Sequence, residues 1–179
     1  DKETHKGIPY KNEINLFTNE SKGHKTRYID STSNQMFLRV DTDSYPHCGE
    51  LPKNIEDYDA VVVSDYNKGF LKDGDLEEIA RRSRLSFLDT KKQFNIDWSD
   101  YFTFIKINEK EYLENGWKHR ADNLIITKAE KGCSYKNKNY NLKLPSDIRD
   151  VSGAGDTFLA GLVYEYVNSD EYPFKELIK

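Results

Sequence analysis

Little in this chain points to an oxidising compartment, a membrane or a nucleic acid. The 179 residues hold two cysteines, Cys48 and Cys133, with no metal-ligand spacing between them. Two isolated thiols build no disulfide framework and fit a reducing cytoplasm. No apolar run approaches the ~18 residues that a membrane-spanning helix requires. The first residues, Asp1-Lys-Glu-Thr-His-Lys6, carry no signal-peptide pattern. Hydrophobic residues make up 36% and mean hydropathy is -0.85, yet twelve Tyr and nine Phe add enough apolar area for a core. Net charge is -4 with acids and bases interspersed, so a basic footprint for nucleic acid is lacking. His5, His24, His47 and His119 are scattered and read as surface residues. Internal repeats, low-complexity tracts and clear linkers are absent too. The chain starts without Met and without an obvious strand–helix unit, and is expected to be an internal or truncated segment.

What is present alternates. Residues 1–22 are polar, with Ile14-Asn-Leu-Phe17 strand-like. Lys25–Ile29 and Gln35–Val40 are extended runs around Asp30-Ser-Thr-Ser-Asn34, a hairpin signal. A Pro-containing loop, Tyr45–Pro52, marks a passage between layers. Ala60-Val-Val-Val-Ser64, Leu85–Leu88, Phe102–Ile107 and Leu124–Thr127 read as strands, and the centres of all four as covered on both faces. Asp75–Arg84 has an acid at its start and bases at its end, as a helix dipole prefers. Asn108 is placed to cap a helix Glu109–Glu114, stopped at Asn115-Gly116. Cys133–Lys136 and Tyr140–Leu144 suggest a hairpin around Asn137-Lys-Asn139. This order predicts an open α/β sheet, in which ligands sit beyond the strand C-terminal ends. Ser64-Asp65, Asp89, Asn108 and Thr127 all fall there.

The stretch with most chemistry is Arg149–Tyr166. A Gly153-Ala-Gly155 turn feeds an apolar helix, so N–H groups and the helix's positive end converge on one anion site. Asp156 puts a carboxylate beside that site. Either it is an ordinary first-turn helix acid, or it takes a proton from a hydroxyl while the amides hold a transferring phosphoryl group. Asn108 and Glu111, spaced i, i+3 on one helix face, read equally well as a capping box. Lys68, in Ser64-Asp-Tyr-Asn-Lys-Gly69, reads as a solvated turn lysine or as a phosphate contact.

Asp150-Val-Ser-Gly-Ala-Gly-Asp-Thr-Phe158 resembles the C-terminal signature of the ribokinase (phosphofructokinase-B) family of carbohydrate kinases, with Ser152 where Thr is frequent. Ser64–Gly69, Asp89-Thr-Lys-Lys92 and Lys25–Asp41 are similar to the heptose-7-phosphate kinase domain of ADP-heptose synthases; Thr90 stands where those enzymes carry Pro. Thr127-Lys-Ala-Glu-Lys-Gly132 resembles the family's nucleotide-phosphate turn, with Ala129 in place of its first Gly. The resemblance spans about residues 20–168. It implies a ribokinase-like, mostly parallel sheet with a lid-like β segment at 25–45 and a catalytic α/β part at 58–179. It implies ATP and Mg²⁺, a sugar or sugar-phosphate acceptor, and Asp156 as base. The Gly153, Ala154 and Gly155 amides become an anion hole. Lys91, Thr127 and Gly132 become nucleotide contacts, Lys68 and Arg27 acceptor contacts, and Asn108 and Glu111 organise Mg²⁺ through water. The apolar helix and one bare sheet edge imply a homodimer or a longer chain. A kinase for another sugar or a nucleoside, and a non-catalytic nucleotide-binding remnant, remain open alternatives.

Overall fold

In the computed structural model, residues 24–33, 35–42, 47–117, 122–141 and 153–168 are described. The expected strand at Ile14–Phe17, the start of the Tyr45–Pro52 passage and the approach to Gly153 lie outside them. Two sheets are present among the described residues. β1 (His24–Ile29) and β2 (Met36–Thr42) pair antiparallel as a separate hairpin. β3 (Val61–Asp65), β4 (Ser86–Thr90), β5 (Phe104–Asn108), β6 (Leu124–Thr127), β7 (Cys133–Tyr135) and β8 (Lys138–Tyr140) form a six-stranded sheet in sequential order. Its first four strands are parallel and the last two close it antiparallel.

The helices are α1 (Asp73–Arg82), α2 (Ile96–Ser99), α3 (Glu109–Glu114) and α4 (Ala154–Asn168). α1 follows its dipole, with Asp73 and Asp75 in the first turn and Arg81 and Arg82 in the last. It starts two residues earlier than the acid pattern suggests, because the Asp75 side chain caps the Lys72 N–H. α2 escaped sequence reading. At four residues it is too short for a periodic signal, and it is held by the Asn95 side chain accepting from Asp97 N–H.

Successive strand residues face opposite sides, so each strand feeds two cores. Leu88, Ile105 and Ile107 pack with Leu76, Ile79, Trp98 and Trp117 on one face. Phe87, Phe104, Ile125 and Cys133 pack with Leu159 and Leu162 of α4 on the other. β4, β5 and β6 are thus covered on both faces, as their sequences suggest. β3 corrects that expectation. It is the sheet's edge, since no described strand lies beyond it, and Val62 is 47% exposed. The C-terminal hairpin is also corrected. It turns on Lys136-Asn137, both at positive φ (47° and 60°), and its second strand starts at Lys138. Two left-handed residues make the tight turn whose twist matches the strands.

Candidate active site

The parallel strands end on one side of the sheet, and a cleft of about 180 Å³ opens there. Ser64, Asp65 and Tyr66 after β3, Asp89 and Lys91 at β4, and Lys106 and Asn108 of β5 form its floor and one wall. Glu111 of α3 and Gly153, Ala154, Gly155 and Asp156 at the start of α4 complete it. Consecutive parallel strands deliver these residues to one place because their C-terminal ends align in register: Ser64 opposite Asp89, Asp89 opposite Lys106.

The floor holds one ion pair and one hydrogen-bonded carboxylate. Lys106 Nζ lies 2.7 Å from Asp89 Oδ2, with side chains 8% and 17% exposed. Asp65 is buried, and accepts from Asn67 N–H at 3.0 Å and from the Thr90 hydroxyl at 3.0 Å. Thr90, at the position where the resembling kinases carry Pro, therefore ties the β4 loop to the β3 loop. Its Oγ1 in turn accepts from Lys92 N–H at 3.0 Å, and Lys91 N–H donates to Asp65 O at 3.1 Å.

The rim is different. Gly153 takes φ +76°, a left-handed conformation that turns the chain into α4, and Thr157 N–H closes the first helical bond to Gly153 O at 2.8 Å. The amides of the first turn have no acceptor within the helix. Crowding favours glycine at 155: a Cβ there would stand 2.8 Å from Lys106 Nζ, an amine that Asp89 holds in place. Asp156 is exposed on the cleft wall, with no hydrogen bond or ion pair to a described residue. Burial, then the nearby Asp156 and Asp89 carboxylates, push the Tyr66 hydroxyl above its ordinary pKa. Lys91 Nζ sits 4.7 Å from the Tyr66 ring centre and Lys25 Nζ of the hairpin 5.6 Å from it. Tyr66 thus links the hairpin to the cleft.

Asn108 and Glu111 are found as a reciprocal capping box: Glu111 N–H donates to Asn108 Oδ1 and Asn108 N–H to Glu111 Oε2, both at 2.8 Å. Both also line the cleft, so the capping and ligand-facing readings share the same residues. Thr127 and Gly132 line a neighbouring cavity of about 150 Å³ with Ala129, Cys133, Ala154, Gly155 and Phe158. Ala154 and Gly155 are common to both spaces. Ala129 takes φ +49°, the left-handed conformation its family position suggests, without being glycine.

Lys68 and Arg27 do not line the cleft. Arg27 lies on the hairpin opposite Arg39, and alternation puts it on the same face of β1 as Lys25. Lys68 lies near enough to Asp41 of β2 to help lower its pKa, behind the hydrogen bond from Arg39 and the charge of Lys25. Lys106 escaped sequence reading. A lysine in an apolar strand carries no local sign that its amine turns into a cleft.

This cleft lies at the ends of parallel strands, with a glycine turn and a helix start on its wall. Residues 100–179, a little under half of the chain, match the pfkB family carbohydrate kinase description. Among curated proteins it is 30% identical over 169 residues to the bifunctional protein HldE of a Nitratiruptor species, covering 78% of this chain and 36% of that protein. It is 31% identical over 175 residues to HldE of Trichlorobacter lovleyi, covering 77% and 35%. The chain therefore spans a little over a third of these relatives. In fold it is similar to a nucleoside kinase of Burkholderia thailandensis solved in complex with inosine, at TM-score 0.53 and 19% identity, covering 80% of this chain and 53% of that one. No described helix is long and apolar enough to cross a membrane.

Proposed function

We propose that this chain carries the phosphoryl-transfer machinery of an ATP-dependent kinase acting on a hydroxyl of a sugar phosphate, of the heptose 7-phosphate type. The observation that carries the reading is Asp156: a carboxylate without an ion-pair partner among the described residues, beside the open first-turn amides of α4, in a cleft. Asp156 takes the acceptor's proton as that oxygen bonds to the γ-phosphorus and the bond to the ADP oxygen breaks; the proton then leaves to solvent. The Gly153, Ala154 and Gly155 amides and Lys91 hold the charge on the phosphates. Thr127 and Gly132 face the nucleotide from the adjoining cavity. The oxygen-rich wall of Asn108 and Glu111 suits a hard, hydrated Mg²⁺, which when bound neutralises phosphate charge. Lys68, with Arg27 on the Lys25 face of the hairpin, meets the acceptor's anionic group. A second copy of the chain is the partner proposed for the hairpin. Tyr28, Leu38 and Val40 are 45–48% exposed and fall on one side of it, more apolar surface than a lone two-stranded sheet holds stably.

In the intact protein, Asp156→Asn is expected to lower phosphoryl transfer by roughly 10²–10⁴-fold with little change in ATP binding. Ordinary turnover in that variant would sink the assignment. Lys68→Ala should raise KM for a phosphorylated sugar and Lys91→Ala should raise KM for ATP. If both weaken ATP alone, the acceptor is a neutral sugar or a nucleoside. No turnover with any acceptor would leave a nucleotide-binding domain.

A further inference from the structure

Away from the cleft, three metal-ligating side chains converge on one point. His47 and Cys48 belong to the segment after β2, and Asp75 is the third residue of α1. His47 Nε2 lies 2.6 Å from Asp75 Oδ2 and 3.7 Å from Cys48 Sγ, and one donor atom from each residue lies within 4.8 Å of the other two. All three residues are partly sheltered, with His47 and Asp75 side chains 29% and 16% exposed. Ligands bound to tetrahedral zinc at ~2.0–2.3 Å stand roughly 3.3–3.6 Å apart. The Cys48–His47 spacing is already close to that value. The His47–Asp75 spacing is that of a hydrogen bond and has to open by less than ~1 Å.

We propose that His47, Cys48 and Asp75 bind a zinc ion, with solvent as the fourth ligand. Thiolate, imidazole and carboxylate together select zinc over the hard, oxygen-seeking Mg²⁺ that the cleft suits. The plainer alternative is a His–Asp hydrogen bond with a thiol beside it, and the proton inventory says what separates the two. In the metal-free form His47 donates Nε2–H to Asp75, while its Nδ1 accepts a long 3.3 Å contact from Gly49 N–H. Zinc at Nε2 displaces that proton to Nδ1, so the ring stays neutral and the weak Gly49 contact is given up. The Cys48 thiol loses its proton to solvent. Since zinc takes the thiolate, binding releases that proton and tightens as pH rises.

The ion would act as a clip. Asp75 caps the start of α1 through Lys72 N–H at 2.6 Å, and Cys48 N–H donates to Phe70 O at 2.9 Å. Zinc would add a bond set between the segment leaving the hairpin and the first turn of α1, which follows the loop after β3. That loop carries Tyr66 and Lys68. The clip is independent of whether the cleft is a sugar-phosphate kinase.

The test is a Co²⁺ titration of the reduced protein followed by absorption, with Zn²⁺ as competitor. The expected result is one ion per chain, with a thiolate-to-cobalt charge-transfer band and intense tetrahedral d–d bands that Zn²⁺ removes. Cys48→Ser should abolish the charge-transfer band, and Cys133→Ser should leave it intact. His47→Gln and Asp75→Asn should each weaken Zn²⁺ binding at least ~10-fold. Asp75→Asn retains an oxygen to cap Lys72, so a fold defect is separable by circular dichroism. Absence of a thiolate band, or a band that survives Cys48→Ser, overturns the proposal. So does Zn²⁺ affinity unchanged in both His47→Gln and Asp75→Asn.

Discussion

The floor and the rim of the cleft use the same residue types to opposite ends. On the floor, Asp89 has Lys106, and Asp65 has Thr90 and the Asn67 amide. On the rim, Asp156 faces the cleft with no described partner, and Lys91 rests on an aromatic face. A carboxylate that is buried has to be paired, since an isolated buried charge costs several kcal/mol. A carboxylate at the rim keeps its water and can exchange it for a ligand. Burial, more than residue type, therefore separates the acids that hold this structure from the acid proposed to react.

The sharpest way to break that contrast is at Lys106. Lys106→Met leaves Asp89 without its cation and should cost ~3–5 kcal/mol, read as a lower urea midpoint. Adding Asp89→Leu should recover most of the loss, because a buried pair exchanged for apolar groups is often near neutral. Asp156→Asn, by contrast, should stay within about 0.5 kcal/mol of the parent. Equal losses at Lys106 and Asp156 would erase the distinction. Asp65→Asn keeps one acceptor of the two that Asp65 supplies, and should cost about 1–3 kcal/mol in the same measurement.

The adjoining cavity repeats the contrast with a pH signature. Burial pushes the Cys133 thiol from 9.0 up to about 11, with Lys128 pulling slightly back. The folded state therefore keeps a proton that the unfolded state gives up. The stabilisation is complete below pH 9.0 and is lost as pH rises to about 11. Cys133→Ala should flatten that alkaline decline in a series of denaturant melts. An unchanged slope would mean that Cys133 ionises equally in both states. The smallest effect is expected at the rim of this cavity. Ala129 holds φ +49°, which costs an L-residue about 1–2 kcal/mol, while glycine adds ~0.5–1 kcal/mol of chain entropy. Ala129→Gly should stabilise by roughly 0.5–1 kcal/mol in thermal melts. Destabilisation there would show that the methyl group packs usefully.

Much of this was legible in the chain. The apolar runs place β4, β5 and β6 to within two residues at either end, and the Asn108–Glu111 spacing predicts the α3 cap as found. The Gly153-Ala-Gly155 turn reads directly as a loop entering a helix, and α4 begins at Ala154. Such features depend on residues a few positions apart, and the local backbone reports them. β3 shows where that stops. Its Val61-Val-Val63 run looks as buried as any strand, yet Val62 is 47% exposed, because at the sheet's edge it lies outside the cluster that α4 forms over Phe87 on the same face.

The sequence by itself determined the alternation of strands and helices, the caps, and the glycine turn with its acid, since propensity, periodicity and φ preference act over short separations. Only the tertiary structure decided that Lys106 neutralises Asp89 and that Thr90 ties down Asp65. It also brought His47 and Cys48 to Asp75. These pairings join residues 17 to 28 positions apart, with nothing in either local sequence naming its partner. Strand register and helix docking set them, and those follow from how whole apolar faces are removed from water.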